Sequence, residues 1–235
     1  MLRRFLAGLS VGSCAFGVTT AFCSMSSTPT TYRSVEPFYN FPQDYEDRGQ
    51  LALGEEPLIL HMDVFAQMGV VLEESIAHML AQWPLASSDV FCDLGSGVGN
   101  VCLAVFANSH VRKTIGIEFI PSRHQYAVAA LQTAAAADPT VFANAARRVE
   151  YHNQNFTECA DICREVTVFF THSWTFDPPL LDKTARVIAA APKVRLVLTS
   201  REMPQLLTST KLQYRGVMTL GADWNEKAPF HVYSL

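Results

Sequence analysis

A glycine-rich loop that directly follows an apolar run is the feature that most constrains the fold of this chain. The run Val90–Leu94 carries an acid, Asp93, near its end. Three glycines then alternate with small or apolar residues: Gly95, Gly97 and Gly99. This pattern is typical of a buried parallel strand that turns sharply into a helix, because glycine tolerates unusual dihedral angles and lets a ligand approach the backbone closely. The helix is predicted to begin near Val98.

A second short apolar run, Thr114–Glu118, ends in a carboxylate. Two strand ends, a glycine loop and a downstream acid together predict a nucleoside-binding site at the carboxyl edge of a doubly wound sheet. Glu118 is the predicted ribose ligand, since one carboxylate can accept hydrogen bonds from two adjacent hydroxyls.

The chemistry of the loop indicates which nucleoside it binds. Dinucleotide sites place a pyrophosphate at the helix N-terminus, and kinase-type loops need a Gly-Lys-Ser/Thr sequence. Here Asp93 precedes the glycines and no lysine follows them. Because an acid repels phosphate but suits a cationic amino-acid group, the pattern favours S-adenosylmethionine as the cofactor.

The rest of the chain alternates between strand and helix patterns. Two short helices are predicted between Leu58 and Trp83, interrupted near Gly69. The predicted strands and helices that follow are Asp89–Leu94, Val98–Asn108, the strand ending at Glu118, Ser122–Ala137, Val149–Asn153, Val166–His172, Pro179–Ala191 and Val194–Ser200. The last two, Leu212–Leu220 and Pro229–Leu235, form a predicted terminal hairpin. This order predicts an α/β fold, a Rossmann-like doubly wound sheet with a C-terminal antiparallel hairpin, which is the class I methyltransferase pattern.

Composition narrows the class of protein further. The chain has 235 residues, of which 49% are hydrophobic, and a net charge of −4. This size predicts one domain plus a tail, and this charge gives no overall footprint for DNA or RNA. Six cysteines in a chain of this length do not indicate a disulfide framework. Cys159 and Cys163 lack a second Cys/His pair at zinc-finger spacing, so no metal site is predicted.

The first 35 residues differ from the remainder. They contain arginines and no acid, and Phe5–Cys23 is almost unbroken in apolar and small residues. An organellar transit peptide is favoured, with the mitochondrion as the expected location. A secretory signal, a membrane anchor through residues 5–23 if it is not cleaved, and a disordered extension remain alternatives. Residues 36–57 are predicted to form an irregular lead-in, and residues 58–235 the methyltransferase domain.

The chain resembles a known family, the Dot-type (disruptor of telomeric silencing) non-SET histone-lysine methyltransferases. Asp93–Gly99 is identical to that family's glycine loop. The resemblance extends through the segments that follow: Gly116–Glu118, Asn155–Phe156, Thr171–Pro178, Thr199–Arg201, Trp224 and His231–Tyr233. It implies methyl transfer from S-adenosylmethionine to a protein lysine, with a histone as one candidate partner and the nucleus as an alternative location.

The resemblance also implies roles for individual residues. Asp93 contacts the methionine amino group, the glycines give backbone clearance, and Glu118 binds the ribose. Asn155 and Phe156 cradle adenine, although an Asn-Phe pair after a strand is equally an ordinary loop and core pair. The expected catalytic residues follow the fourth strand: His172, Ser173, Trp174 and Phe176. Trp174 and Phe176 would form an apolar channel that desolvates a lysine and favours its neutral form.

Three departures from the family are visible. Its Tyr-Gly-Glu-Thr lid appears here as Met68–Val71, so the lid glutamate is missing unless Glu55 or Glu56 replaces it. The family's asparagine beside the sulfonium aligns with His172 or Ser173. No polybasic segment for nucleosomal DNA is present. Two other functions therefore stay open, a catalytically silent subunit of an assembly and a methyltransferase acting on RNA or a small molecule.

Overall fold

The alternating strand and helix patterns build a mixed sheet with helices on both faces. The computed structural model describes residues 32–39, 54–55 and 69–235. All of them belong to one unit, Tyr32–Leu235. The apolar run at residues 5–23, Glu56 and the first of the two helices expected after Leu58 lie outside the described residues. Within the described residues, no helix combines the length and apolarity needed to cross a membrane.

Seven strands of the described chain form this sheet, in the order β3-β2-β1-β4-β5-β7-β6. Their bounds are β1 Val90–Leu94, β2 Lys113–Glu118, β3 Val149–Asn153, β4 Val168–Thr171, β5 Leu196–Thr199, β6 Gln213–Ala222 and β7 Asn225–Ser234. Strands β1 to β5 pair in parallel, whereas β7 pairs antiparallel with both β5 and β6. The order reverses between β1 and β4, which is where such sheets bind ligands. The predicted class I methyltransferase fold with a terminal hairpin is confirmed.

The helices cover both faces of the sheet. Their bounds are α1 Glu73–Gln82, α2 Asn100–Asn108, α3 Pro121–Ala137, α4 Pro139–Phe142, α5 Ala145–Arg148, α6 Pro178–Ala190 and α7 Gln205–Ser209. Short 3-10 turns occur at Glu36–Phe38, Phe156–Glu158 and Ile162–Glu165. The short elements α4, α5 and α7 were not expected from the sequence, because four or five residues carry too little apolar periodicity to be recognised.

Alternation of side chains along the strands divides the core into two layers. Phe91 and Phe170 stack on one face of the sheet, with their ring centroids 6.2 Å apart. The neighbouring residues Cys92 and Phe169 pack on the opposite face. Since helices cover both faces, every residue of β1 is buried, as expected for a central parallel strand.

The terminal hairpin is longer than the sequence indicated. Strands β6 and β7 have 10 residues each and meet at the turn after Ala222. Pro229 interrupts the apolar pattern, yet it lies within β7 opposite Thr219. It is tolerated there because the pairing of β7 with β5 begins only at His231, so no ladder bond on that side is lost.

Residues 32–39 pack against the domain. The sequence instead predicts that residues up to 35 belong to the N-terminal segment and residues from 36 onward to the irregular lead-in. Val35 is buried, and its backbone N–H donates to the Glu73 carboxylate at the start of α1. The Phe38 ring meets Phe142 edge-on, with centroids 5.6 Å apart. Residues 32–39 therefore form part of the hydrophobic core, next to helices α1 to α4.

Candidate functional site

The glycine loop lies at the carboxyl end of β1, and its conformation depends on glycine. Gly95, Gly97 and Gly99 have φ angles of 81°, 53° and 77°, in the left-handed region that other residues rarely adopt. The N–H groups of Gly95 and Ser96 both donate to the Ile117 carbonyl, at 2.9 and 3.1 Å. The loop is thus tied to the end of β2 before α2 begins.

Tyr151 on β3 supports this loop from below. Its hydroxyl donates to the Gly99 carbonyl at 2.8 Å. A Cβ added at Gly99 would lie 2.5 Å from the Tyr151 ring, and one added at Gly116 would lie 2.7 Å from it. Glycine at these two positions therefore makes room for the tyrosine as well as for the turn.

Glu118 closes the loop from the end of β2. Its two carboxylate oxygens accept the N–H groups of Gly97 and Ile120, each at 2.8 Å. Burial raises the pKa of Glu118, although the positive charge of Arg123 and the backbone N–H bonds oppose that rise. Each carboxylate oxygen can accept more than one hydrogen bond, so the group can still take hydroxyl donors from a ligand.

Asp93 and Ser96 carry buried oxygen atoms that no described residue satisfies. Asp93 Oδ1 and Ser96 Oγ have no hydrogen-bond partner among the described residues. Burial raises the pKa of the Asp93 carboxyl well above 3.8, and the nearby charge of Glu118 raises it further. Because buried polar atoms in proteins are nearly always paired, these two are best explained as ligand contacts.

A pocket opens between the glycine loop and a segment that crosses above it. Its empty space, including the open mouth, is about 310 Å³. Its lining includes Gly69, Asp93, Ser96, Asn100, Phe170 and His172. We call residues Gly69–Leu72 the lid segment, since they include the described part of Met68–Val71, the stretch that aligns with the family's lid.

The lid segment is held from two sides. Val70 N–H donates to the Asp223 carboxylate, and Asp223 N–H donates to the Val70 carbonyl. Val71 pairs with Ala222 in an isolated bridge, and its carbonyl accepts the Asn100 side-chain amide at 3.1 Å. The turn of the β6–β7 hairpin and the start of α2 therefore fix the lid segment over the pocket.

The structure distinguishes the roles of His172 and Ser173. His172 lines the pocket, and its Nδ1 lies 3.2 Å from the Gly69 carbonyl. Ser173 is fully buried on the other side of the backbone, with its hydroxyl 2.9 Å from the Thr199 hydroxyl. His172 thus lines the pocket, whereas Ser173 connects the loop to β5; a catalytic role for either residue stays a prediction.

Trp174 and Phe176 were expected to share one channel, and here the structure differs. Trp174 is 43% exposed and packs against Trp224, with ring centroids 5.3 Å apart. Phe176 instead stacks on Phe156, with centroids 5.6 Å apart. The turn from Ser173 to Phe176, closed by a backbone hydrogen bond of 3.0 Å, directs the two rings apart.

Phe156 and Asn155 lie beside the glycine loop, but their side chains make different contacts. Phe156 is buried, and its partner Phe176 reaches within 3.6 Å of a Cβ position at Gly95. Asn155 caps the 3-10 turn that follows it, because its side-chain oxygen accepts both the N–H and the hydroxyl of Thr157. Adenine contact by either residue remains a prediction.

Glu55 does not occupy the lid position. Its carboxylate accepts the backbone N–H and the hydroxyl of Ser122, both at 2.7 Å, in the first turn of α3. A carboxylate here suits the positive end of the helix. The residue that replaces the missing lid glutamate is therefore not Glu55.

The cysteines of the described chain are all free. Cys92, Cys102, Cys159 and Cys163 are buried and unpaired by disulfides. Among the described residues, no three His, Cys, Asp or Glu side chains are grouped in a way that could hold a metal ion.

The sequence assigned no site role to three residues, Gly69, Ser96 and Tyr151, and it pointed to a fourth, Trp224, only through the family resemblance. Gly69 is enclosed so tightly that an added Cβ would lie 2.4 Å from Trp224 and 2.8 Å from His172. Its signal in the sequence was a single glycine in an apolar stretch, which was interpreted only as a helix break. Trp224 could be found by the family resemblance alone, and nothing local marks Tyr151.

The site as a whole fits an adenosylated amino acid. Asp93 and Ser96 line the pocket and carry oxygens that are unpaired among the described residues, and Glu118 accepts the Gly97 N–H of the loop. Ribose binding by Glu118 stays a prediction. The glycines leave backbone exposed between them, because a Cβ at Gly95 would meet nothing closer than 3.6 Å yet would be strained by its φ angle. Trp174 and Trp224 pack against each other and form an exposed aromatic wall, with Trp224 next to Gly69 of the lid segment.

Comparison with known proteins gives a family and a fold. A family model described as histone methylation protein DOT1 matches residues 63–217, well over half of the chain. No similar sequence was found among proteins with curated descriptions.

Solved structures match at low sequence identity. The methyltransferase domain of bacterial CtHen1-C aligns with a TM-score of 0.54 and 10% identity, over 69% of this chain and 97% of that one. A second structure of this domain, CtHen1-CN, aligns with a TM-score of 0.51 and 11% identity over the same shares. An RNA methyltransferase from Salinibacter ruber in complex with S-adenosyl-L-homocysteine has a TM-score of 0.49 and 17% identity, over 69% and 91%. The first two likenesses identify the fold.

Proposed function

The chain belongs to the family of histone methylation protein DOT1, whose members use S-adenosylmethionine, and from that premise we propose that it methylates a lysine side chain of a protein. The cofactor supplies a methyl group bound to positive sulfur, so that the N–C bond forms as the C–S bond breaks with its electron pair on sulfur. One proton must also leave the acceptor ammonium.

The observation that carries this proposal is the unpaired oxygen of Asp93 beside the glycine loop. A buried carboxylate without a partner is unfavourable unless a ligand supplies donors or positive charge. An amino-acid ammonium supplies both. The carboxylate of Glu118 lies on the same glycine loop, where it accepts the Gly97 N–H, and the loop's position at a topological switch point supports ribose binding.

The acceptor side supports a lysine. Trp174 and Trp224 are 43% and 44% exposed; Trp224 stacks on His172, which lines the pocket, and Trp174 packs against Trp224. Such aromatic faces attract an alkylammonium group and remove water from it. The net charge of −4 does not favour a nucleic-acid acceptor.

Methyl transfer from tritiated S-adenosylmethionine tests the proposal. The full-length protein is incubated in turn with core histones, nucleosomes, total cell protein and total RNA, and labelled protein is hydrolysed to identify methyl-lysine. We expect label in lysine. Label in RNA or small molecules with none in protein would contradict the acceptor. Absence of cofactor binding at millimolar concentration in calorimetry would instead favour a silent subunit.

A variant of the aromatic wall separates acceptor binding from cofactor binding. Trp174→Ala is expected to lower methyl transfer by about tenfold or more, since an aromatic contact to a cation contributes about 1–2 kcal/mol when desolvated. Cofactor affinity should stay nearly unchanged in calorimetry. The matched control Tyr214→Ala removes an aromatic ring with similar exposure, 41%, from the outer strand β6. Equal losses of methyl transfer in both variants would argue against the aromatic wall as the acceptor site.

A further inference from the structure

His172 lines the pocket, contacts the lid segment at Gly69 and packs against Trp224 of the aromatic wall. Its ring stacks on Trp224, with centroids 5.8 Å apart, and makes a tilted contact with Phe230, with centroids 5.6 Å apart. These two ring contacts and the Nδ1 contact with the Gly69 carbonyl hold the ring in place. The two nitrogens of His172 therefore point in fixed directions.

The Gly69 carbonyl determines which nitrogen carries the proton. His172 Nδ1 lies 3.2 Å from that oxygen, and a carbonyl can only accept a hydrogen bond. Nδ1 must therefore hold the hydrogen. In the neutral ring Nε2 is then an acceptor with a free lone pair.

Nε2 of His172 has no hydrogen-bond partner within the part of the chain that the structure describes. Burial lowers the pKa of His172, and the Gly69 hydrogen bond and the charge of Asp223 oppose that shift only in part. Asp223 on the hairpin turn and Asp93 across the pocket are the charged groups near the ring on its neighbouring elements. The imidazole is consequently neutral near pH 7.

These observations assign a further catalytic role. We propose that His172 Nε2 accepts the proton that the substrate ammonium must lose before methyl transfer. This inference rests on the proposed function. The step balances simply: the N–H bond of the alkylammonium breaks, its electron pair stays on nitrogen, and the proton forms an imidazolium with Nε2. Hydrogen-bond geometry and a ring that is neutral at working pH are the two requirements of a general base.

The same geometry restricts the class of substrate. The lone pair of Nε2 is satisfied only by a group with an N–H or O–H, so a quaternary nitrogen, which has no N–H, cannot pair with it. The site is thus built for a primary or partly methylated amine and rejects the fully methylated product. His172 also holds the Gly69 carbonyl, so substrate recognition and lid position share one ring.

Nitrogen NMR of the histidine rings tests the assignment without relying on catalysis. The full-length protein is labelled with ¹⁵N, and His172 is identified by the signal that is lost in His172→Gln and retained in the exposed control His110→Gln. We expect Nε2 of His172 to be unprotonated at pH 7. A proton on Nε2, or on both nitrogens, overturns the proposal.

Two amines then probe the acceptor site, with S-adenosylhomocysteine present. n-Butylamine carries N–H donors and is expected to shift the Nε2 resonance, whereas n-butyltrimethylammonium has none and should leave it in place. Equal shifts with both amines, or none with either, overturn the proposal. The protonation state of the ring is read in the protein alone, so it does not depend on cofactor binding.

The pH dependence of methyl transfer gives a kinetic readout. With tritiated S-adenosylmethionine and total cell protein, His172→Gln should lose about 10²- to 10⁴-fold in rate at pH 7, the usual contribution of a general base. Near pH 9.5 most of the loss should disappear, because the lysine then deprotonates without help (its usual pKa is about 10.4). An equal loss at every pH overturns the proposal. A wild-type protein that labels no protein lysine contradicts the proposed function instead.

Discussion

Some side chains of this site are buried in environments that destabilise the protein when no ligand is bound. Asp93 and Glu118 are buried carboxylates in neighbouring strands, and Asp93 lacks a partner for one oxygen among the described residues. Burial raises the pKa of both groups. A buried charge of this kind costs stability, and a cationic ligand recovers part of that cost on binding.

Glu118→Ala is expected to weaken S-adenosylmethionine binding by about 1–3 kcal/mol, because it leaves ribose hydroxyls and the Gly97 and Ile120 N–H groups without an acceptor. Isothermal calorimetry measures the change. Glu165→Ala is the matched control, since its carboxylate is 56% exposed and pairs with Arg112. Unchanged affinity in Glu118→Ala would refute the ribose assignment.

Asp93→Asn is expected to stabilise the ligand-free protein and abolish its cofactor binding. In the folded state the pKa of Asp93 lies above its usual value of 3.8, so the folded chain holds more protons than the unfolded chain between these two pKa values. Stability therefore falls as the pH rises through that window. Replacing the Asp93 carboxyl should make stability depend less on pH in this window. It should also raise Tm at pH 7, by about 2–4 °C for each kcal/mol of stability gained. Thermal unfolding from pH 4 to pH 8 measures both; a lower Tm at pH 7 would contradict the argument.

At the scale of elements, the lid segment depends on the hairpin of β6 and β7. Leu72 N–H donates to the Gly221 carbonyl, and Gly221 N–H donates to the Ser75 hydroxyl at the start of α1. The antiparallel hairpin thus does more than complete the sheet. Its turn carries Asp223 and Trp224 to the lid and to His172.

Gly69→Ala is expected to displace the lid segment, because its Cβ would lie 2.4 Å from Trp224 Nε1 and 2.8 Å from His172 Cε1. Methyl transfer should fall by about tenfold or more, since small misplacements of catalytic groups are costly. The double variant Gly69→Ala/Trp224→Ala removes the nearer clash. It should show a coupling of about 0.5–3 kcal/mol relative to the two single variants. Additive losses would indicate that the lid and Trp224 act independently.

At the scale of the whole molecule, the domain begins earlier than the family match at residue 63. Val35 is buried, and Arg33 N–H donates to Asn108 at the end of α2. Glu73 accepts the N–H groups of Val35 and Glu36. The folded unit therefore begins at Tyr32, before the boundary at residue 36 that the sequence predicts.

Two truncations test this boundary. Removing residues 1–31 should leave Tm almost unchanged, because the division of the chain falls between residues 31 and 32. Removing residues 1–39 should lower Tm by about 5 °C or more, since burying one valine alone contributes about 1.5–3 kcal/mol. Differential scanning calorimetry measures both. Equal stability of the two truncated proteins would show that residues 32–39 add nothing to the core.

Removal of residues 1–31 also tests the proposed location of the protein in the cell. We expect a fluorescent fusion of the full chain in mitochondria and a fusion lacking residues 1–31 elsewhere, because the arginine-led, acid-free start fits an import signal. Nuclear fluorescence with both fusions would favour chromatin as the setting.

The sequence by itself determined the strands, the glycine loop and the carboxylate at Glu118. Each of these depends on local physics: the apolar period of a buried strand, the dihedral angles open to glycine, and an acid at a strand end. Helix α6 could also be predicted from the sequence, because Asp177 is a favourable N-cap residue. In the structure its side chain accepts the Leu180 N–H.

Only the tertiary structure decided which neighbours complete the site. His172 meets Gly69 from 103 positions away, and Trp174 meets Trp224 instead of the nearby Phe176. The choice between His172 and Ser173 follows from the direction in which the chain leaves β4. Such contacts are set by packing between distant segments, and no local pattern in the sequence records them.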